Sequence, residues 1–338
     1  MNLKLFAGLT VAAALTAGTA LAQQTLSAVH AFAPTLVYTQ SFLRFVEKVN
    51  ERGAGVIQID VRGGPEAIGP FQQADAVRDG VVDMAYVPGS FYAGALPEKD
   101  ALVTSNRLAA EVRANGGIDL INEIHQAKMG VYYLGWFDSG VCYNIWTVDP
   151  PVFTAAGDLD MSGVRLRGNA VYNAFFTNTL GAQVIDLPTG EVYAGLERGV
   201  VNATGWTQIG LIDLRWNDFV KYRIGPCFFS TDLGVIVNLD AWNALTPEAQ
   251  AILQEVAIEH EIGSAEAHRA RRDDEFARLE AAGMTEVNLT GEAAARYLRG
   301  ARESTWERMR TQMAAHPMGD GNFDRLIAHF YDFARAGE

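Results

Sequence analysis

A chain of 338 residues, 49% hydrophobic and 20% charged, has apolar material for two cores and none of the charge bias that marks disorder. Its formal charge of −13 excludes a basic footprint for nucleic acid and a polybasic membrane patch. A buried arginine can still hold an anion, because the diffuse acidic field is screened within about 10 Å.

The first 22 residues read as a secretory signal rather than as fold. Lys4 gives the positive start, residues 5–21 an apolar run rich in Ala and Leu, and Ala20-Leu21-Ala22 a small-x-small cleavage site before Gln23. Export with cleavage after Ala22 is expected, and no later stretch reads as a membrane span. Cys142 and Cys227 would then occupy an oxidising compartment. They either bridge or stay as two buried thiols, and their spacing fits neither CxxC nor a metal site.

Residues 25–30 (TLSAVH) are predicted as the first strand. A helix follows, with Phe42, Phe45, Val46 and Val49 at helical spacing and Gly53 and Gly55 as its stop. Residues 56–61 alternate as a second strand, Gly63-Gly64-Pro65 breaks it, and residues 70–78 form a helix. A third strand ends near Val87. This β-α-β-α-β order predicts a largely parallel sheet. Phe91 and Tyr92 fall just beyond that third strand, where open α/β sheets bind ligands; plain loop packing is the other reading.

Helix is expected over residues 108–128 with a break at Gly116-Gly117. Residues 129–147 then read as one aromatic-rich strand region. Pro150-Pro151 marks a boundary before a second β-α-β-α-β unit over residues 163–206, which carries Arg167 at its mouth. A short helix and a long strand region lead to Val237. A helix runs almost unbroken from Thr246, a fitting N-cap before Pro247, to Ala282. Such a length exceeds an average domain and suits a bridge between two lobes. Helices over residues 291–315 and 322–336 end the chain. His260 and His268 are expected on the solvated face of the long helix.

The runs ERGAGVIQIDVRGG, DGVVDMAYV and YYLGWFDSG, and above all MSGVRLR with LGAQVIDLPTGEVYAGLERGVVNA, resemble the DctP family, the periplasmic solute-binding proteins of TRAP transporters. The resemblance covers nearly the whole mature chain. It implies an α/β fold of two lobes with mostly parallel or mixed sheets, hinge strands and a long bridging helix. The expected division is lobe I over residues 23–146 plus about 230–275, and lobe II over 147–229 plus about 276–338 with the C-terminal helices. It also implies a non-enzymatic role: a small organic acid trapped between lobes and handed to a small and a large membrane permease subunit.

Arg167 ends the family's G-[LV]-[KR]-[IL]-R run and is similar to the arginine that pairs bidentately with a carboxylate, a geometry lysine lacks. Glu191 and Tyr193 match the family's EVY signature and read as structural. Where relatives carry a second arginine this chain has Cys142. Trp206 resembles the subgroup that binds 2-oxo or 2-hydroxy monocarboxylates, while Gly205 replaces the acid that can hold a metal there. No metal and no cofactor are therefore expected. With Phe91, Tyr92 and Phe137, the site reads as apolar with one charged end, fit for a hydrophobic, aromatic or 2-oxo/2-hydroxy monocarboxylate. Asn144 reads as a partner for a ligand oxygen or as a buried structural amide. His30 and Tyr38 lie after the first strand, where family ligands are also contacted.

Other classes weigh less. The six histidines form no HExxH pair, and no nucleophile motif or phosphate-binding glycine loop is present. A ligand sensor docking a kinase and a dicarboxylate binder remain as alternatives to monocarboxylate transport, with a periplasmic enzyme last.

Overall fold

The computed structural model describes residues 23–169, 172–316 and 321–336; the expected signal segment lies outside them. The chain opens with β1 (Gln24–His30), α1 (Val37–Arg52), β2 (Ile57–Gly63), α2 (Gln73–Arg78) and β3 (Met84–Pro88), then α3 (Asp100–Val103), α4 (Ala109–Ala114), α5 (Gly117–Met129) and β4 (Val131–Trp136). It crosses to β5 (Tyr143–Thr147), a small ribbon of β6 (Val152–Phe153) and β7 (Leu159–Asp160), β8 (Arg165–Gly168), β9 (Gln183–Asp186), α6 (Val192–Glu197), β10 (Ala203–Thr207) and β11 (Tyr222–Gly225). It returns to β12 (Leu233–Asn238), α7 (Leu239–Asn243) and α8 (Pro247–Ala281), places β13 (Thr285–Asn288) beside β11, and ends with α9 (Gly291–Ala315), α10 (Phe323–Phe330) and α11 (Phe333–Ala336).

Two mixed sheets result. Lobe I has strand order β2-β1-β3-β12-β4 and lobe II β13-β11-β5-β10-β8-β9. β3 is buried along its whole length, as befits a strand covered on both faces. α1 lies over lobe I because Tyr38, Phe42, Phe45, Val46 and Val49 share one buried stripe.

Two sequence-based boundaries need correction. β5 does not continue β4; it pairs with β10 and β11 in the other sheet. The lobe boundary expected at 146 therefore falls before residue 143. Asp138 and Gly140, with φ of 59° and 92°, turn the chain between the two strands. The C-terminal helices also do not belong to lobe II alone. α9 packs on both the 175–179 turn of lobe II and the 97–103 segment of lobe I, and α10 packs on α3 and α5.

The crossing segments are tied together. Thr231 Oγ1 donates to the Asp138 carbonyl at 2.6 Å, and Cys142 and Cys227 form a disulfide, which resolves the open reading of the two thiols. α8 starts as expected: Thr246 accepts from the Ala249 amide and Pro247 takes the first turn. Its 35 residues span about 52 Å. It packs on α1 and β4 and then reaches lobe II, where Glu275 accepts from the amides of Gly210 and Ile212. His268 is buried on Asp138, with Nε2 at 2.7 Å from the carboxylate. His260 meets Ser41 at 3.0 Å. The expectation of a solvated face fails for both, because α8 is covered by α1 as well as by the sheet.

Candidate functional site

Arg167 sits on β8, between β10 and β9, and is only 2% exposed. Its Nε donates to the Leu187 carbonyl at 2.9 Å, which fixes the plane of the guanidinium. Among the described residues no Asp or Glu forms an ion pair with it. Burial draws its pKa below the ordinary value, against the fields of Tyr172, Tyr143 and Asp186. A buried cation without a counterion is costly, and the cheapest remedy is an anion supplied from outside.

The cleft before it is lined by Phe32, Pro88, Ser90 and Phe91 from lobe I, and by Tyr143, Asn169, Tyr172, Thr189 and Trp206 from lobe II. Most of these residues follow the C-terminal ends of β1, β3, β8 and β9, the place an open α/β sheet presents to ligands. The walls are aromatic. Phe32 meets Trp206 edge-on at 6.1 Å and Phe91 at 5.9 Å. Trp206 packs on Trp216 at 4.9 Å and donates from Nε1 to the Ile209 carbonyl at 3.1 Å, so its ring is held from behind. Burial pushes the phenols of Tyr143 and Tyr172 above their usual range, leaving them neutral.

Among the described residues two cleft hydroxyls have no hydrogen-bond partner. Thr189 Oγ1 and Ser90 Oγ are buried without a hydrogen bond. Ser90 belongs to a loop tied to the hinge: its amide donates to Asp232 Oδ2 at 2.6 Å and the Gly89 amide to the Asp232 carbonyl at 2.9 Å. Asp232 lies just before β12 and faces Lys99 at 3.9 Å. One unpartnered hydroxyl from each lobe, with the arginine, gives three polar points around an apolar space.

Of the residues singled out in the sequence, Arg167, Trp206 and Phe91 line this cleft. Five do not. Tyr92 turns inward and its hydroxyl meets His125 Nε2 at 3.0 Å. Phe137 packs in the lobe I core against Phe45 and His260. Tyr38 bonds Thr207 across the lobes. His30 holds the Phe32 carbonyl at 2.7 Å beside Gly64, where a Cβ would meet its ring at 2.5 Å. Asn144 donates to the Ile224 carbonyl at 2.8 Å while its Oδ1 stays unpartnered. Cys142, expected from the resemblance to stand where relatives carry a second arginine, is held in the disulfide. Gly205 backs onto Phe176, whose ring would lie 2.8 Å from any Cβ there, so an acid cannot replace it without moving that ring. Among the described residues no cluster of His, Cys, Asp or Glu is arranged to hold a metal. Phe32, Ser90, Tyr172 and Thr189 were missed; their position after strand ends was the available signal.

A two-lobed α/β trap with a buried arginine at its seam is the class of protein that fold and site define. The chain belongs to the DctP family, bacterial extracellular solute-binding protein family 7, whose profile matches residues 28–312. This is the family of TRAP transporter solute-binding proteins, extracytoplasmic and non-enzymatic. The chain is similar to a Nostoc protein named as a monocarboxylate 2-oxoacid-binding periplasmic protein, 27% identical over 73% of this chain and 68% of the relative. In fold it is similar to a Bordetella pertussis extracytoplasmic solute receptor binding pyroglutamic acid, with a TM-score of 0.76 and 19% identity over 91% of this chain and 99% of that one. It is likewise similar to a Desulfovibrio salexigens TRAP solute-binding protein with bound orotic acid, with a TM-score of 0.79 and 18% identity over 93% and 100%.

Proposed function

We propose that this protein captures a small monocarboxylate with a hydrophobic, aromatic or 2-oxo/2-hydroxy body and delivers it to the two permease subunits of a TRAP transporter. In this reading it works in the periplasm after cleavage behind Ala22. The observation that carries the reading is Arg167: a buried guanidinium with no acidic partner among the described residues, walled by Phe32, Phe91 and Trp206. A bidentate pair with the ligand carboxylate would neutralise it. The unpartnered hydroxyls of Thr189 and Ser90 supply donors for one further oxygen, as a 2-oxo or 2-hydroxy group presents. The acids named for the Nostoc, Bordetella and Desulfovibrio proteins support an organic acid as the ligand class.

Cleft space here is ≈ 10 Å³, room for about one water. An organic acid therefore enters while the lobes are apart, and contacts to both lobes favour closure by their differential affinity for the closed state.

The test is a thermal-shift screen of purified protein against an organic-acid library, followed by calorimetry, because a ligand that binds the native state raises its apparent stability. Monocarboxylates of the stated kind should give the largest shifts, and Arg167→Ala should abolish them. Succinate or another dicarboxylate at the top of the ranking would overturn the monocarboxylate assignment. Turnover of any acid would overturn the binding role. Uptake lost on deleting the permease genes separates transport from sensing.

A further inference from the structure

A second cavity, of ≈ 640 Å³, lies behind the hinge and shares no residue with the Arg167 cleft. Its walls include the crossing segments at Gly140–Cys142 and Cys227–Ser230, the 104–108 segment of lobe I, and one face of α9. In a chain of net charge −13 this groove gathers five guanidinium groups, those of Arg107, Arg272, Arg299, Arg302 and Arg335, against one acid in its lining, Glu292.

Their existing partners do not use up the set. Arg107 pairs with Asp332 at 3.4 Å, yet its buried Nε has no partner. Arg335 pairs with Glu111 and Asp332. Arg272 pairs with Asp273, a mostly exposed acid that holds it weakly, while Arg302 is engaged by Glu303 and by the Tyr331 hydroxyl, to which it donates at 2.9 Å, and adds its charge to the wall. Arg299 is exposed and forms no ion pair among the described residues. Asn106 and Ser105 in the wall are engaged with the backbone of Asp332 and Phe330, Gln208 adds a side-chain amide, and the volume falls in the range of small-molecule sites.

We infer that this groove is a second ligand site, for a small multivalent anion carrying carboxylate or phosphate groups. An occupant would touch elements of both lobes and the hinge at once. The adjacent rings of Phe228 and Phe229 link the groove to the cleft: Phe228 lies 6.3 Å from Tyr143 and Phe229 5.6 Å from Tyr172, both cleft residues. The groove thus reports on the lobe arrangement that the cleft ligand also selects, and coupling between the two sites is reciprocal.

Calorimetry at constant ionic strength tests this with citrate and inorganic phosphate as probes and acetate as the single-charge control. The proteins are the wild type, Arg167→Ala and the surface double variant Arg272→Glu/Arg299→Glu. Citrate or phosphate should bind wild type and Arg167→Ala equally, acetate should not bind Arg167→Ala, and the double variant should lose at least tenfold in affinity. Hydrogen exchange at residues 140–142 and 227–230 should slow on binding to Arg167→Ala. Binding of citrate or phosphate abolished by Arg167→Ala would place the anion in the cleft and overturn the inference. So would affinity unchanged by the double charge reversal, or no binding of either probe to wild type. Because Arg167→Ala disables only the cleft, failure here leaves the proposed capture of a monocarboxylate standing.

Discussion

The hydroxyl of Tyr38 donates to Thr207 Oγ1 at 2.7 Å, joining α1 of lobe I to β10 of lobe II. The Thr207 hydroxyl in turn donates to the Ile209 carbonyl at 2.8 Å, the same carbonyl that accepts from Trp206 Nε1. The latch between lobes and the orientation of the cleft tryptophan therefore share one acceptor. Tyr38→Phe removes the latch while keeping the ring against His268, 5.5 Å away. The closed state should lose about 1 kcal/mol, weakening the leading acid about fivefold and raising the open fraction in solution scattering. An unchanged affinity and scattering profile would show that the bond forms no part of closure.

The order of elements was legible because parallel strands buried on both faces leave apolar runs, and Gly53, Gly63 and Gly116 punctuate them. Which sheet a strand joins was not. Residues 131–147 are mostly apolar and aromatic, and the Asp138-Ser139-Gly140 turn, with its two left-handed residues, divides β4 from β5. The site was legible to the same depth. Arg167 and Trp206 stood out by motif, but adjacency could not tell Phe91 from Tyr92. A short 3-10 turn over Gly89–Tyr92 places the first ring on the cleft and the second against His125. Burial of His268 and partial burial of His260 were hidden because they depend on α1 crossing α8, a contact between elements some 220 residues apart in sequence, as between Ser41 and His260.

Arg167→Lys separates charge from geometry. An ammonium keeps the positive end of the cleft but cannot form two parallel hydrogen bonds to a carboxylate, nor reproduce the Nε bond to Leu187. Affinity for the leading acid should fall by two decades or more, close to Arg167→Ala, for which loss of a buried pair costs on the order of 3–5 kcal/mol. Calorimetry reads both variants. Lysine binding within fivefold of wild type would reduce the role of Arg167 to that of a point charge.

Thr189→Val addresses the second ligand group. Valine matches threonine in shape and removes only the unpartnered hydroxyl. For a 2-oxo or 2-hydroxy acid the loss should be about 1 kcal/mol, roughly fivefold in affinity, with Ser90→Ala behaving similarly from the other lobe. The matching acid without the oxygen should bind wild type and Thr189→Val alike. Equal losses for both acids would mean that the hydroxyl serves the fold rather than the ligand.

Acid should destabilise the protein over two pH ranges, the first set by His125. Its Nδ1–H donates to the Ile121 carbonyl at 2.7 Å and its Nε2 accepts from Tyr92, so a second proton would displace the Tyr92 bond. Burial lowers its pKa to about 4, against the raising effect of the Ile121 bond, while an unfolded histidine titrates near 6.5. Between those values the unfolded chain binds the extra proton, so stability is full above about pH 6.5 and declines as pH falls toward 4. His260, lowered to about 4 chiefly by burial, acts in the same direction. For His125 the loss is on the order of 3 kcal/mol. A second range follows below about pH 4. Burial alone would raise the pKa of Asp138, but His268 and the hydrogen bonds it accepts from His268 and Ser41 hold it at about 2. Its contribution is present above the unfolded carboxyl value and is lost as pH falls through 2. Urea unfolding at pH 7.5, 6.5, 5.5 and 4.5 measures the first range directly. In His125→Gln the decline across that range should become shallower, and an identical slope would assign the acid sensitivity to other groups.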